Sequence, residues 1–294
     1  MPTMVYEEIS NNKRNTFILM FLFVIVISGL GYIIGELYGN AYAGLIGAAV
    51  FSLISVWTSY YYSDSIVMSL SGAVYADRTM YAQYHLSAEG LALAAGIKPP
   101  GVYVIESEAI NAFATGRNPE HSAIAITTGA YKKLTKLELE GVIAHEMSHI
   151  KNYDILTATM AVMLVGMIGM LAGMIQRNLF RSSMRRAAGK NGVVFIVIAI
   201  AAAILAPVIA MLISFAVSRQ REYLADAQAV LLTRYPQGLC DALVKIKADY
   251  AASGELNSGM ESLYFSIPNK MKQEENLFST HPPLEIRIER LRAM

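Results

Sequence analysis

Apolar residues fall into two patterns along this chain: long unbroken runs, and shorter stretches with helical or alternating period. Four unbroken runs, at about 16–35, 41–60, 155–175 and 193–216, each reach the length of roughly 20 residues that a helix needs to cross a hydrocarbon core. The first follows Lys13 and Arg14 as a secretory signal would. Its apolar part outruns the usual ~7–15 residues and no small-residue cleavage site follows, so it reads as an uncleaved anchor. The turn GELYGN (35–40) leads into the second run, whose end WTSYYY (57–62) has the aromatic crowding of a membrane interface. These two runs are expected to form a hairpin.

The pattern changes between residues 63 and 154. DRTMYAQYHLSAEGLALAAGI (77–97) has helical period, whereas GVYVIES (101–107) and SAIAITTGAY (122–131) have the β-branched and aromatic content of strands. A marked helix start follows: Thr135 with Glu138 three residues on is a capping-box pattern, and Leu134 can staple onto Leu139. That helix is predicted to run over 135–153, and another over SRQREYLADAQAVLLTRY (218–235); a polar tail with STHPP (279–283) and a short amphipathic end close the sequence. The predicted division is a cytoplasmic tail (1–15), a transmembrane hairpin (16–62), the first part of a water-facing domain (63–154), a second hairpin (155–216) and the second part of that domain (217–294). The loop at 176–192 is basic, with Arg177, Arg181, Arg185, Arg186 and Lys190, and the positive-inside tendency conflicts there with Lys13 and Arg14. Either the loop is exported and all four runs cross, the reading favoured because the 21 and 24 residues of the third and fourth are long enough to span, or those two turn back.

Composition supports the membrane reading and narrows the chemistry. Apolar residues make up 54% and charged ones only 16%, against roughly 25% charged in soluble domains. A net charge of +1 gives no basic excess for nucleic acid. Cys240 is the single cysteine, so neither an internal disulfide nor a cysteine-based zinc ribbon can form, and any metal must rest on His, Asp and Glu.

HEMSH (145–149) is the place for such a metal. Positions i and i+4 of a helix share a face about 6 Å apart, so His145 and His149 can turn imidazole nitrogens to one ion while Glu146 stands beside them to take a proton from water. A catalytic zinc needs a third ligand and an open position. REYLAD supplies Glu222 and, one helical turn on, Asp226; an even number of crossings between 149 and 222 would return them to the same side. On spacing alone two readings stay open: Glu222 as ligand with Asp226 orienting a ligating histidine, or a solvated face pairing with Arg219 and Arg221.

The elements NAFATG (111–116), HEMSHIKNYD (145–154), SRQREYLAD (218–226) and HPP (281–283), in this order and with two apolar runs between the second and third, resemble the heat-shock-associated membrane zinc metalloproteases of the HtpX type. These belong to the superfamily of the CAAX prenyl proteases. The resemblance implies a mainly α integral membrane protein with four transmembrane helices and a zincin-like α+β protease domain built on a small β-sheet. It implies one Zn²⁺ per chain on His145, His149 and Glu222, Glu146 as general base and Asp226 behind the ligands. Tyr153 stands where the family often has glycine. Asn111, Ala112 and Phe113 resemble the segment that holds a substrate as an added strand, with Phe113 as core and Asn111 as a turn residue the plainer reading. His281 steadies an oxyanion in one reading and opens a helix in the other.

The resulting expectation is a zinc endopeptidase of the cell membrane, multi-pass, with its active site facing the cytoplasm and damaged or misfolded membrane proteins as substrates, serving quality control and the stress response. A CAAX-type prenyl protease, whose relatives carry more membrane helices, and a non-catalytic metal-dependent scaffold are the alternatives. The small residues of GLIGA (44–48) suit close helix packing and allow a homo-oligomer.

Overall fold

The computed structural model describes residues 2–37, 39–185, 219–253 and 282–294. The fourth apolar run, the loop beyond residue 185 and His281 lie outside the described residues. In chain order the elements are α1 (Pro2–Leu37), α2 (Ala41–Leu70), β1 (Val74–Tyr75), α3 (Ala82–Ala95), β2 (Gly101–Ile105), β3 (Ala112–Asn118), β4 (His121–Thr127), α4 (Thr128–Lys133), α5 (Lys136–Lys151), α6 (Asp154–Arg185), α7 (Arg219–Thr233), α8 (Pro236–Ser253) and α9 (Leu284–Arg292). They divide into two units: Met1–Lys13, Tyr62–Thr159 and Ala216–Met294 form one, Arg14–Tyr61 and Met160–Phe215 the other.

The second unit contains the apolar parts of α1 and α2, the two described helices long and apolar enough to cross a membrane by themselves. Phe17, Phe21, Ile25, Ile46, Val50, Leu53, Ile54 and Trp57 all face outward. So dense an exposed apolar surface is stable in lipid and not in water. The turn between the helices places Gly39 at φ +88°, and Asn40 Oδ1 accepts from the Ala43 N–H at 3.0 Å. The helices then meet on glycine. A Cβ added to Gly44 would lie 2.2 Å from the Gly31 carbonyl oxygen and 2.7 Å from Gly35 Cα, and one added to Gly31 would lie 2.2 Å from Ala48 Cβ. Gly44 and Ala48 of GLIGA are thus occupied within the chain.

In the first unit, a four-stranded mixed sheet in the order β1-β2-β4-β3 is antiparallel except between β2 and β4. Ile124, Ile126, Ala112 and Ala114 pack into one core with Val142, Ile143, Met147 and Ile150 of α5. Leu239, Cys240 and Leu243 of α8 and Ile288 and Leu291 of α9 complete that core. The capping box of α5 is present: Thr135 Oγ1 accepts from the Glu138 N–H, and Glu138 Oε2 accepts from the Thr135 N–H at 2.6 Å. The helix therefore starts at a fixed residue, which fixes the face on which His145 and His149 emerge.

Several boundaries differ from the sequence-based expectation, each for a local reason. The helix expected from residue 77 begins at Ala82, because Asp77 Oδ1 accepts from the N–H groups of Thr79 and Met80 and holds a turn. The strand expected over 122–131 ends at Thr127, whose Oγ1 accepts from the Ala130 N–H and starts α4. NAFATG contributes a strand of its own, β3. Helix continues to Arg185 through ten residues read as loop, and the tail over 2–15 is the start of α1. Between α5 and α6 the chain turns by 81° at Asn152 and Tyr153, the latter in the left-handed region at φ +62°.

The hairpin packing is testable. Gly44→Val is expected to force the helices apart at a cost of about 1–3 kcal/mol, lowering the thermal midpoint in detergent. Gly47→Val, where an added Cβ meets nothing within 4 Å, should leave the midpoint unchanged.

Candidate metal centre

His145 and His149 project from the last two turns of α5, and α7 crosses beside them carrying Glu222 and Asp226. Ligand atoms of His145, His149 and Glu222 lie within 4.8 Å of one another. The two Nε2 atoms are 3.0 Å apart, and Glu222 oxygens lie 3.6 Å from His145 Nε2 and 3.5 Å from His149 Nε2. Ligand atoms around tetrahedral zinc, at about 2.0–2.1 Å from the ion, are separated by about 3.4 Å. The three side chains therefore fit three corners of a tetrahedrally coordinated metal, and among the described residues no fourth His, Cys, Asp or Glu joins the group.

Both rings are held from behind. His145 Nδ1 donates to Asp226 Oδ1 at 2.9 Å, and His149 Nδ1 donates to Asp154 Oδ2 at 2.9 Å. With their Nδ1 positions committed, both imidazoles direct Nε2 at the shared point. Asp226 is in turn gripped by Arg287 of α9, which donates from Nε to Oδ2 at 2.9 Å and from Nη2 to Oδ1 at 2.7 Å, while Nη1 lies 3.4 Å from Glu222 Oε2. Arg287 has no exposed surface. This is a buried bidentate pair that fixes both carboxylates of α7. Burial would raise the Asp226 pKa, but Arg287 and the His145 hydrogen bond outweigh it and hold the group below the ordinary carboxylate range.

Arg221, Glu222 and Asp226 are all buried, so α7 does not present a solvated charged face here. Asp226 pairs with Arg287, and Arg221 lies 3.8 Å from Asp154. Glu146 is buried next to the pair of histidines in sequence and its charge acts on His149 and Arg287. Asn111, Ala112 and Phe113 are buried at the entry of β3, an edge strand of the described sheet, and β3 packs on α5. Asp249 Oδ2 accepts from the Ile110 N–H and Thr127 Oγ1 accepts from the Asn111 N–H, so the approach to that strand is tied down at both positions.

Sequence reasoning passed over Asp154 and Arg287. Asp154 stood inside HEMSHIKNYD, five residues after His149, and was given no role. Arg287 carried a clearer signal: Leu284, Ile288 and Leu291 mark the inward face of α9, and an arginine three residues after Leu284 lies on that face. A charged residue on an apolar stripe calls for a buried partner.

Without a cation, burial pushes the His149 pKa down, but the hydrogen bond to Asp154 and the charges of Glu222, Asp154 and Glu146 prevail and raise it from 6.5 to about 9. Its Nε2–H then donates to His145 Nε2, and a proton occupies the space between the two ligand nitrogens.

A membrane chain whose helix carries His-Glu-x-x-His against a carboxylate from a second buried helix is a membrane metalloprotease by class. The family model of peptidase family M48 matches residues 81–294, and the chain belongs to that family. It is 40% identical over 295 residues to a "Protease HtpX homolog" of Dictyoglomus turgidum, covering 100% of this chain and 96% of that protein. A protein of the same name from Listeria monocytogenes is 42% identical over 306 residues, covering 99% of this chain and 100% of the relative. Among solved structures, that of S. mikatae Ste24p has a similar fold, with a TM-score of 0.50 and 21% identity; the match covers 93% of this chain and spans 62% of the Ste24p chain.

Two outcomes are expected. Because a metal on this site displaces the His149 proton, metal affinity should rise with pH up to about 9, with proton release on binding at pH 7 seen in calorimetry across buffers. By linkage, that histidine stabilises the metal-free protein fully below pH 6.5 and loses this contribution as pH rises through about 9. Arg287→Leu should destabilise by about 3–5 kcal/mol in detergent unfolding, since it leaves the Asp226 carboxylate buried without its cation; Arg287→Lys, which keeps charge without the fork, should cost less.

Proposed function

We propose that this chain is a zinc-dependent endopeptidase of the cell membrane, multi-pass with four crossings, whose zincin-like domain faces the cytoplasm and cleaves damaged or misfolded membrane proteins in quality control and the stress response. The observation that carries the reading is the convergence of His145 Nε2, His149 Nε2 and the Glu222 carboxylate, with Glu146 buried next to His145 in sequence and its charge acting on His149. Among the described residues three protein ligands converge, which suits catalysis, whereas closed structural zinc sites use four protein ligands.

The chain's own groups divide the work. His145, His149 and Glu222 would hold the zinc, and Asp226 and Asp154 keep the two imidazoles facing it. Bound there, zinc supplies Lewis acidity toward the scissile carbonyl and lowers the pKa of water toward about 7. Glu146 takes the proton from the attacking water and returns it to the departing amine. Asn111, Ala112 and Phe113 open the edge strand β3, against which an extended substrate can add by backbone hydrogen bonds, a mode that places little demand on side-chain sequence. Support for this role is the position of β3 at the sheet edge and its packing on the helix that bears both histidines. His281 is assigned to the oxyanion on the resemblance alone. The outward apolar side chains of α1 and α2 support insertion in the bilayer.

Glu146→Gln is expected to retain stoichiometric zinc while casein cleavage in detergent falls by at least about a hundredfold, and a chelator should abolish cleavage by the unaltered protein. Undiminished proteolysis by the Gln variant would eliminate this mechanism.

A further inference from the structure

The metal site has a component that lies far from it in sequence. Asn12 belongs to the polar start of α1, before the first apolar run, yet its side chain is 2% exposed. Its Nδ2 donates to Asp154 Oδ1 at 2.7 Å and to the Asn152 carbonyl at 3.0 Å, and its Oδ1 lies 3.4 Å from Arg221 Nη1. The amide orientation is the one that its neighbours allow: reversal would set oxygen against a carboxylate and a carbonyl. Thr157 Oγ1, itself buried, donates to the Asn12 carbonyl at 3.2 Å.

These contacts converge on one turn. Asn152 ends α5, Tyr153 adopts φ +62°, and Asp154 opens α6. Asn152 also exchanges two amide hydrogen bonds with Gln228 of α7. A tyrosine in the left-handed region costs about 1 kcal/mol or more relative to glycine, so this turn needs outside support to hold its shape. Lys13 Nζ sits 4.1 Å from the centroid of the Tyr153 ring and supplies part of that support. Asp154 presents one oxygen, Oδ1, to Asn12 and the other, Oδ2, to His149 Nδ1. Its carboxylate plane, and with it the aim of the imidazole, is set from both sides.

We propose that Asn12 is a positioning residue of the metal centre, acting on His149 through Asp154, so that the segment ahead of the first membrane helix is a working part of the protease domain. This rests on the reading of His145, His149 and Glu222 as metal ligands. Loss of a partner that orients a ligand typically weakens metal binding by about 10- to 100-fold, and Asn12, one residue further out, belongs at the lower end.

The test is a double-mutant cycle on zinc affinity, measured by chelator competition with the full-length detergent-solubilised protein, using Asn12→Leu, Asp154→Asn and the pair. Asn12→Leu is expected to weaken zinc binding about tenfold, and the pair to bind no more weakly than Asp154→Asn alone. Lys13→Gln, which removes the cation over the Tyr153 ring but leaves the hydrogen bonds of Asp154 in place, should weaken zinc binding by clearly less, about threefold at most. Additive effects of Asn12→Leu and Asp154→Asn, or an equal loss from Lys13→Gln, would show that the segment merely anchors the fold and overturn the inference. If Asn12→Leu fails to fold, Asn12→Ser, which keeps one donor, replaces it in the same cycle. A coupled cycle in a protein that binds zinc but cleaves nothing would sustain this inference and sink the protease reading; an uncoupled cycle in an active protease would do the reverse.

Discussion

Two imidazoles backed by carboxylates are the constraint around which the first unit is arranged. A histidine is a directional ligand only when its second nitrogen is committed, and here each is committed to a different part of the chain: His145 to Asp226 on α7, His149 to Asp154 at the head of α6. Burying those aspartates is costly unless each has further partners. Arg287 from α9 meets that need for Asp226, and Asn12 meets it for Asp154. Four separate stretches of sequence are thereby drawn to one helix end. The core of α5 against the sheet, α8 and α9 supplies the apolar burial that makes such a polar cluster tolerable.

The membrane segments bear on the site through chain connectivity. HEMSH lies near the end of a helix that breaks by 81° and continues into an apolar one, and the break is where Asp154 is presented. Tyr153 shows why the family often has glycine at that position: the residue sits at positive φ, which glycine adopts without strain. In this chain the tyrosine instead gains a cation over its ring. What looked in the sequence like a neutral departure outside the ligands is thus part of the turn that carries one of the two supporting carboxylates.

The periodic and motif-borne features were legible in the sequence, whereas those created by distant pairing were not. The capping box of α5, the common face of His145 and His149 and the proximity of Glu222 and Asp226 all follow from helical spacing. The start of α3 and the end of β4 were misplaced because single side chains, Asp77 and Thr127, capture backbone N–H groups in a way that periodicity does not register. Arg287 was readable as a charge on an apolar stripe and was missed. Asn12 gave no signal, since an asparagine in an NNKR tail looks solvated until a residue 142 positions away accepts its hydrogen bond. Small residues at 44–48 suited close helix packing without saying whether a second chain takes part, and the hairpin uses Gly44 and Ala48 internally.

The buried arginine also orders events during synthesis. Arg287 follows Asp226 by 61 residues, so a ribosome adds all of those before the carboxylate that orients His145 receives its counter-charge. Until then a nascent polypeptide carries His145, His149, Glu222 and Asp226 but not the guanidinium that holds the Asp226 carboxylate. The aim of His145 is therefore completed only once α9 has been synthesised and has docked.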